Sequence, residues 1–151
     1  MHIRAAMQSD IPALVDIARA MHAESPRYSR LTFDGMKVRQ TLSALLHDSA
    51  GFVAVAERGG RIVGALAGFI APDWHSVEPI AHDMGLFVEQ TARGAFIAPQ
   101  LVASFKAWAL ERGAAFGTCG ISTGVAVEQT AALYEHLGMR YVGPIYEFTG
   151  A

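Results

Sequence analysis

Several common architectures are excluded by what the chain lacks. A single cysteine, Cys119, leaves no partner for an internal disulfide. No N-terminal apolar run resembles a signal peptide, and no stretch has the length or apolarity of a membrane span, so a cytoplasmic location without a membrane partner is expected. Charged residues make up only 17%, the net charge is −2 and no block of one sign stands out, which argues against nucleic-acid binding by counterion release. The histidines (His2, His22, His47, His75, His82, His136) are scattered and none lies at ligand spacing with a second His or Cys, so no metal is expected. There is no internal repeat, low-complexity tract or linker, and the 151 residues read as one domain, 1–151, large enough to bury a core without staples.

What is plentiful is apolar. Hydrophobic residues reach 52% with a mean hydropathy of +0.26, and that excess above a lightly charged surface favours a homodimer. The apolar residues are also periodic. HIRAA (2–6) reads as an opening strand. Ser9 or Asp10 then caps a helix with Pro12 in its first turn and a stripe of Ile11, Leu14, Val15, Ala18 and Met21, ending near His22. A second helix is expected over 34–47 with Val38, Leu42, Leu45 and Leu46 inward. GFVAVAER and RIVGALAGFI flank Gly59-Gly60 as an antiparallel hairpin. Residues 71–83, with two prolines, read as a loop leading to a strand over 83–89. A long helix over 99–112, a strand in AFGTCGIS (115–122), a helix over 128–137 and a final strand MRYVGPIYEF (139–148) complete the order β-α-α-β-β-β-α-β-α-β, a mixed sheet with helices on both faces. Cys119, in a strand-like segment with no acid or base beside it, reads as a packed thiol.

The chemistry concentrates in TARGAFIAPQL (91–101), which joins a strand to a helix. A glycine-bearing loop there can hold an anion, because first-turn N–H groups have no partners and the helix dipole adds positive potential. Arg93 would add a charge, and Pro99 suits the first helical turn. Phe96 can stand in the loop if its backbone is helical and its ring points away. On spacing alone, a plain strand-to-helix turn fits as well as a phosphate site.

Three segments together resemble the GNAT superfamily of N-acetyltransferases: LFV (86–88), RGAFIA (93–98) and AALYEHLGM (131–139). The element order also matches that fold over nearly the whole chain. The resemblance implies a mostly antiparallel mixed α/β sheet of six to seven strands and acetyl-CoA as cosubstrate. Leu86, Phe87 and Val88 would offer backbone groups to the pantetheine arm, and Arg93, Gly94, Ala95, Phe96, Ile97 and Ala98 would wrap the pyrophosphate. Tyr134 matches the tyrosine that protonates the departing thiolate. Phe96 stands where the family loop keeps a central glycine, Met139 replaces a phenylalanine, and Val127 replaces an asparagine.

Acyl transfer gives these parts a reason. Negative charge grows on the thioester carbonyl as an amine attacks, so a backbone N–H on the strand around 86–88 stabilises the transition state beyond the ground state. A phenol and a thiol have ordinary pKa values within two units, which suits Tyr134 as the acid. Asp83, at the start of the cofactor strand, is the first choice of base for the amine proton, with His82 or His75 as substitutes. The loops 23–33 and 72–79 are expected to wall the site of an amine-bearing acceptor. An acyl-CoA-binding sensor without turnover is the alternative from a different class, motivated by Phe96 and Val127; a nucleotide-binding domain is a third.

Overall fold

A computed structural model describes residues 1–94 and 96–150. Five strands form one sheet in the order β1-β2-β3-β4-β5: β1 (His2–Ala5), β2 (Gly51–Arg58), β3 (Arg61–Pro72), β4 (Pro79–Val88) and β5 (Phe116–Thr118). The first four are antiparallel neighbours, and β5 runs parallel to β4. The helices are α1 (Ile11–Glu24), α2 (Gly35–His47), α3 (Ile97–Glu111) and α4 (Val127–His136).

Strand periodicity sorts the core into two halves. In β2, Val53 and Val55 face α1 and α2 and pack with Ile11, Leu14, Ile17 and Leu42, while Ala54 and Ala56 face α3. The small side chains on the α3 face leave room for Leu101, Val102 and Phe105, all nearly solvent-free. Burying side chains of this kind contributes roughly 1.5–3 kcal/mol each. The β2–β3 hairpin turns through Gly59 and Gly60, whose φ values of 58° and 76° glycine adopts without a Cβ clash. Asp34 caps α2 by accepting from the Met36 and Lys37 N–H groups, both at 3.0 Å. Arg4 joins Asp10 (2.6 Å) and Glu57 (2.9 Å), tying β1 and β2 to the turn that leads into α1.

Three expectations are corrected. Residues 71–72 belong to β3 and residues 79–82 to β4, not to a loop: Pro72 pairs with Pro79 at the hairpin's turn end, where neither needs an N–H for the ladder. β5 stops at Thr118, four residues short of the expected strand end. Residues 139–148 form no strand among the described residues, so the sheet has five strands and not six to seven; Pro144 has no N–H to donate and Gly143 stands beside it.

Candidate functional site

The two edges of β4 are unlike. Toward β3 it is paired from Pro79 to Val88, with a register slip that leaves Met84 as the extra residue between Asp83 and Gly85. Such a bulge bends and twists its strand. Toward β5 the pairing covers only Ile80, Ala81 and His82. β5 ends at Thr118, opposite His82, so Leu86, Phe87 and Val88 have no ladder partner on that side. The gap is the mouth of a cleft of about 740 Å³ that these three residues line.

Two helices open into the same cleft. Arg93, Gly94, Phe96, Ile97 and Ala98 line it at the start of α3, and Val125, Ala126, Gln129 and Thr130 line it at the start of α4. Ala95 lies outside the described residues. Neither helix has a side-chain cap. Their first-turn N–H groups and dipoles thus favour an anion in the cleft. Phe96 is corrected in one respect: its backbone is left-handed, at φ 57° and ψ 19°, while its ring is exposed as expected. Ala126 precedes α4 in the same region, at φ 46°. These are conformations glycine normally takes, so both lead-ins carry backbone strain.

Arg93 does not offer a free charge. Its Nη1 and Nη2 bind both carboxylate oxygens of Glu24 at 2.7 and 2.6 Å, and its Nε donates to the Val88 carbonyl at 2.9 Å. Arg93 first, then burial acting in opposition, sets Glu24, whose carboxyl lies below its usual range. Arg93 therefore fastens the loop to α1 and to the end of β4, and the cradle's donors are backbone groups.

At the other end of the cleft, Asp83 and Tyr134 converge on Gly120. The Gly120 N–H donates to Asp83 Oδ1 at 2.9 Å, and Tyr134 Oη donates to the Gly120 carbonyl at 3.3 Å. Loss of water raises the Asp83 pKa above the usual carboxylate range. Burial, then the neighbouring Cys119 and Asp83, pushes the Tyr134 phenol upward as well. Cys119, half-buried beside them, is pushed up to about 12 by burial, which makes it the packed thiol expected.

The remaining candidates separate. Tyr28, from the connection between α1 and α2, lines the cleft and donates to Ser122 Oγ at 2.9 Å. Arg27 and Arg30 line an adjoining hollow and both bind Glu147, whose carboxyl they hold below its usual range. No residue of the 72–79 loop lines the cleft, and His82 stacks on Phe69 at 5.2 Å, so neither His75 nor His82 reaches it. Three features escape sequence reading: the bulge at Met84, the Glu24–Arg93 pair and the role of Gly120. Each joins residues far apart in the chain, and only the single glycine of TCGIS hints at the last.

Sequence and fold point to the same relatives. A family model described as the acetyltransferase (GNAT) family matches residues 13–139. No match was found among curated protein sequences. Among solved structures, the aminoglycoside N-acetyltransferase AAC(6')-Iy in complex with CoA superposes with a TM-score of 0.78 at 16% identity, over 99% of this chain and 93% of that one. The aminoglycoside antibiotic 6'-N-acetyltransferase AAC(6')-IG from Acinetobacter haemolyticus gives 0.74 at 14% identity, over 100% and 99%. An acetyltransferase of Trypanosoma brucei gives 0.72 at 17%, over 98% of each chain. At these identities the likeness establishes the fold.

Proposed function

Since the chain belongs to the GNAT acetyltransferase family, with acetyl-CoA as cosubstrate, we propose that it moves the acetyl group to a primary amine by direct attack within a ternary complex. The observation that carries the proposal is the convergence of Asp83 and Tyr134 on Gly120 beside the unpaired edge of β4. The residues suit the cosubstrate. A phosphate group fits uncapped helix N-termini, and an extended amide-bearing arm fits a strand edge with unpaired peptide groups.

In this reading Gly94, Phe96, Ile97 and Ala98 hold the pyrophosphate with backbone groups, Ala95 being carried by the resemblance alone. Leu86, Phe87 and Val88 align the arm and polarise the thioester carbonyl. Asp83 takes the amine proton as the N–C bond forms, and its raised pKa makes it a stronger base than an exposed carboxylate. Tyr134 gives a proton to the sulfur as the C–S bond breaks, and water then returns a proton to the phenolate while removing one from Asp83. The net products are the amide and the free thiol. Burial raises the phenol above its ordinary value, as it does the neighbouring Cys119 thiol.

Calorimetry with acetyl-CoA, followed by thiol release over an amine panel, tests this. Saturable binding is expected, with about 2.7 kcal/mol of added stability at a hundred times the dissociation constant. Absence of binding at millimolar acetyl-CoA ends the proposal. Binding with no thiol release from any amine leaves a CoA-binding module in its place.

A further inference from the structure

The connection between α1 and α2 and the segment after α4 build a second hollow, of about 450 Å³, beside the cleft. The two spaces share Ile121, Ser122 and Ile145, so a molecule in one can extend into the other. Two guanidinium groups, Arg27 and Arg30, stand in the hollow's wall against one carboxylate, Glu147. Glu147 bridges them: Arg27 Nε donates to Oε2 and Arg30 Nη2 to Oε1, each at 2.5 Å. Among the described residues, Arg27 Nη2 and Arg30 Nη1 have no hydrogen-bond partner. Arg27 is braced by its Nη1 bonds to Tyr28 Oη and the Ser122 carbonyl, and Arg30 by its Nε bond to the Arg27 carbonyl. Glu147 is not braced in this way. It sits on a segment that is neither helix nor strand, whose flanking Tyr146 and Phe148 are 88% and 95% exposed.

A fixed pair of guanidinium groups around one carboxylate is a carboxylate site, and Glu147 fills it from a segment whose neighbours are exposed. The cleft points the same way. Its charged lining residues, among those described, are Asp83 and Arg93, and Arg93 is matched by Glu24. A cleft with one acid in its lining, its one arginine being matched by Glu24, presents no cluster of negative charge for a polycation such as an aminoglycoside. Ile121 and Ile145 supply an apolar wall where the two spaces meet, and Met21 and Met84 add apolar lining to the cleft.

We propose that the acceptor is an amino acid with an apolar side chain, its carboxylate held by Arg27 and Arg30 in place of Glu147 and its amine presented to Asp83. The proposal rests on the acetyl-transfer reading, and its test separates the two. L-leucine is compared with L-leucinamide as acceptor by thiol release. N-acetyl-L-leucine is compared with N-acetyl-L-leucinamide by calorimetry on the protein saturated with CoA. A charged hydrogen-bonding pair predicts that each acid outperforms its amide by about tenfold or more. Two variants move this preference in opposite directions. Glu147→Gln lowers KM for leucine about threefold or more and leaves leucinamide unchanged, by removing the internal competitor. Arg27→Gln with Arg30→Gln brings the acid-to-amide ratio near one, with acetyl-CoA affinity unchanged. Equal or better use of the amide, a preference for spermidine or kanamycin, or no gain in Glu147→Gln overturns the proposal. If the amino acid pair fails while another amine releases thiol, acetyl transfer stands and the acceptor assignment falls. If no amine releases thiol and neither N-acetyl compound binds, both fall.

Discussion

The two edges of β4 share one backbone and meet opposite requirements. The β3 edge is paired along its whole length, broken only at Met84, and tolerates no intrusion. The β5 edge is paired at three residues and then left open. A sheet interior normally satisfies both edges, so an open edge inside a fold marks where something else must pair. Here the opening is bordered by two uncapped helix N-termini and by Asp83, whose carboxylate accepts from the Gly120 N–H just past the point where β5 ends. The closed edge holds the strand rigid, and the open edge can therefore present peptide groups at fixed positions.

The largest expected effect lies on the open side. Tyr134→Phe removes the acid while keeping a ring that is only 8% exposed, so turnover should fall by about 10²–10⁴-fold with the acetyl-CoA dissociation constant unchanged. Single-turnover thiol release and calorimetry read the two quantities separately. A parallel loss of affinity would assign Tyr134 to packing and leave the open edge without a proton donor.

The closed side breaks through stability instead. A Cβ at Gly68 would come 2.7 Å from the His82 carbonyl oxygen and 2.7 Å from the Phe105 ring, closer than real contacts allow. Gly68→Ala should cost about 1–3 kcal/mol by overpacking. That corresponds to roughly 2–4 °C of melting temperature per kcal/mol for a chain of this size. An unchanged melting temperature would mean that β3 and β4 are not held as tightly as their pairing implies.

Asp83 stands where the pairing of β4 with β5 ends, and its titration contrasts with that of an acid on the closed side. Its folded pKa is raised, so the folded state prefers the protonated acid: the associated stability is complete below the unfolded value of about 3.9 and is lost as pH rises through the raised pKa. Activity moves the other way, since the ionised form is the base, and thiol release should climb over that same interval. Asp10 gives the contrasting case on the closed side of the sheet. Arg4 holds its carboxyl below the usual range, so its contribution is present above about 3.9 and is lost as pH falls through the depressed value. Asp83→Asn should flatten the acid limb of the rate profile and leave the acid loss of stability in place. A limb that survives the substitution would move the base elsewhere.

Much of this contrast is legible in the sequence, and the reason is local. Amphipathic stripes set α1 to α4 to within two residues, and Gly59-Gly60 set the hairpin, because both depend on neighbours in sequence. The segments LFV, RGAFIA and LYEHLGM likewise mark residues that line the cleft. What stays hidden is relational. Residues 79–82 read as a loop because of Pro79, and only the pairing with Pro72 makes that residue a strand start. The extra residue at Met84 follows from the register against β3, and nothing in the local sequence encodes it. Arg93 reads as a free cation because Glu24 is 69 residues away. Residues 139–148 alternate like a strand, but Pro144 interrupts the donors and Glu147 is held by Arg27 and Arg30.

The smallest expected effect concerns Phe96, at the far end of the open edge. A non-glycine residue in the left-handed region costs roughly 1–2 kcal/mol, and the ring, 74% exposed, recovers little of that by burial. Glycine would relieve the strain but would also enlarge the freedom of the unfolded chain, at about 0.4–1 kcal/mol. Phe96→Gly should therefore raise stability by less than about 1.5 kcal/mol, the difference between these two opposing effects. Affinity for acetyl-CoA should stay within about threefold, because the backbone already has the shape that glycine would give it. Thermal melting and calorimetry on one variant test both statements. A tenfold gain in affinity would show that the ring obstructs the cradle, and the open edge of β4 would then end in a partly blocked anion site.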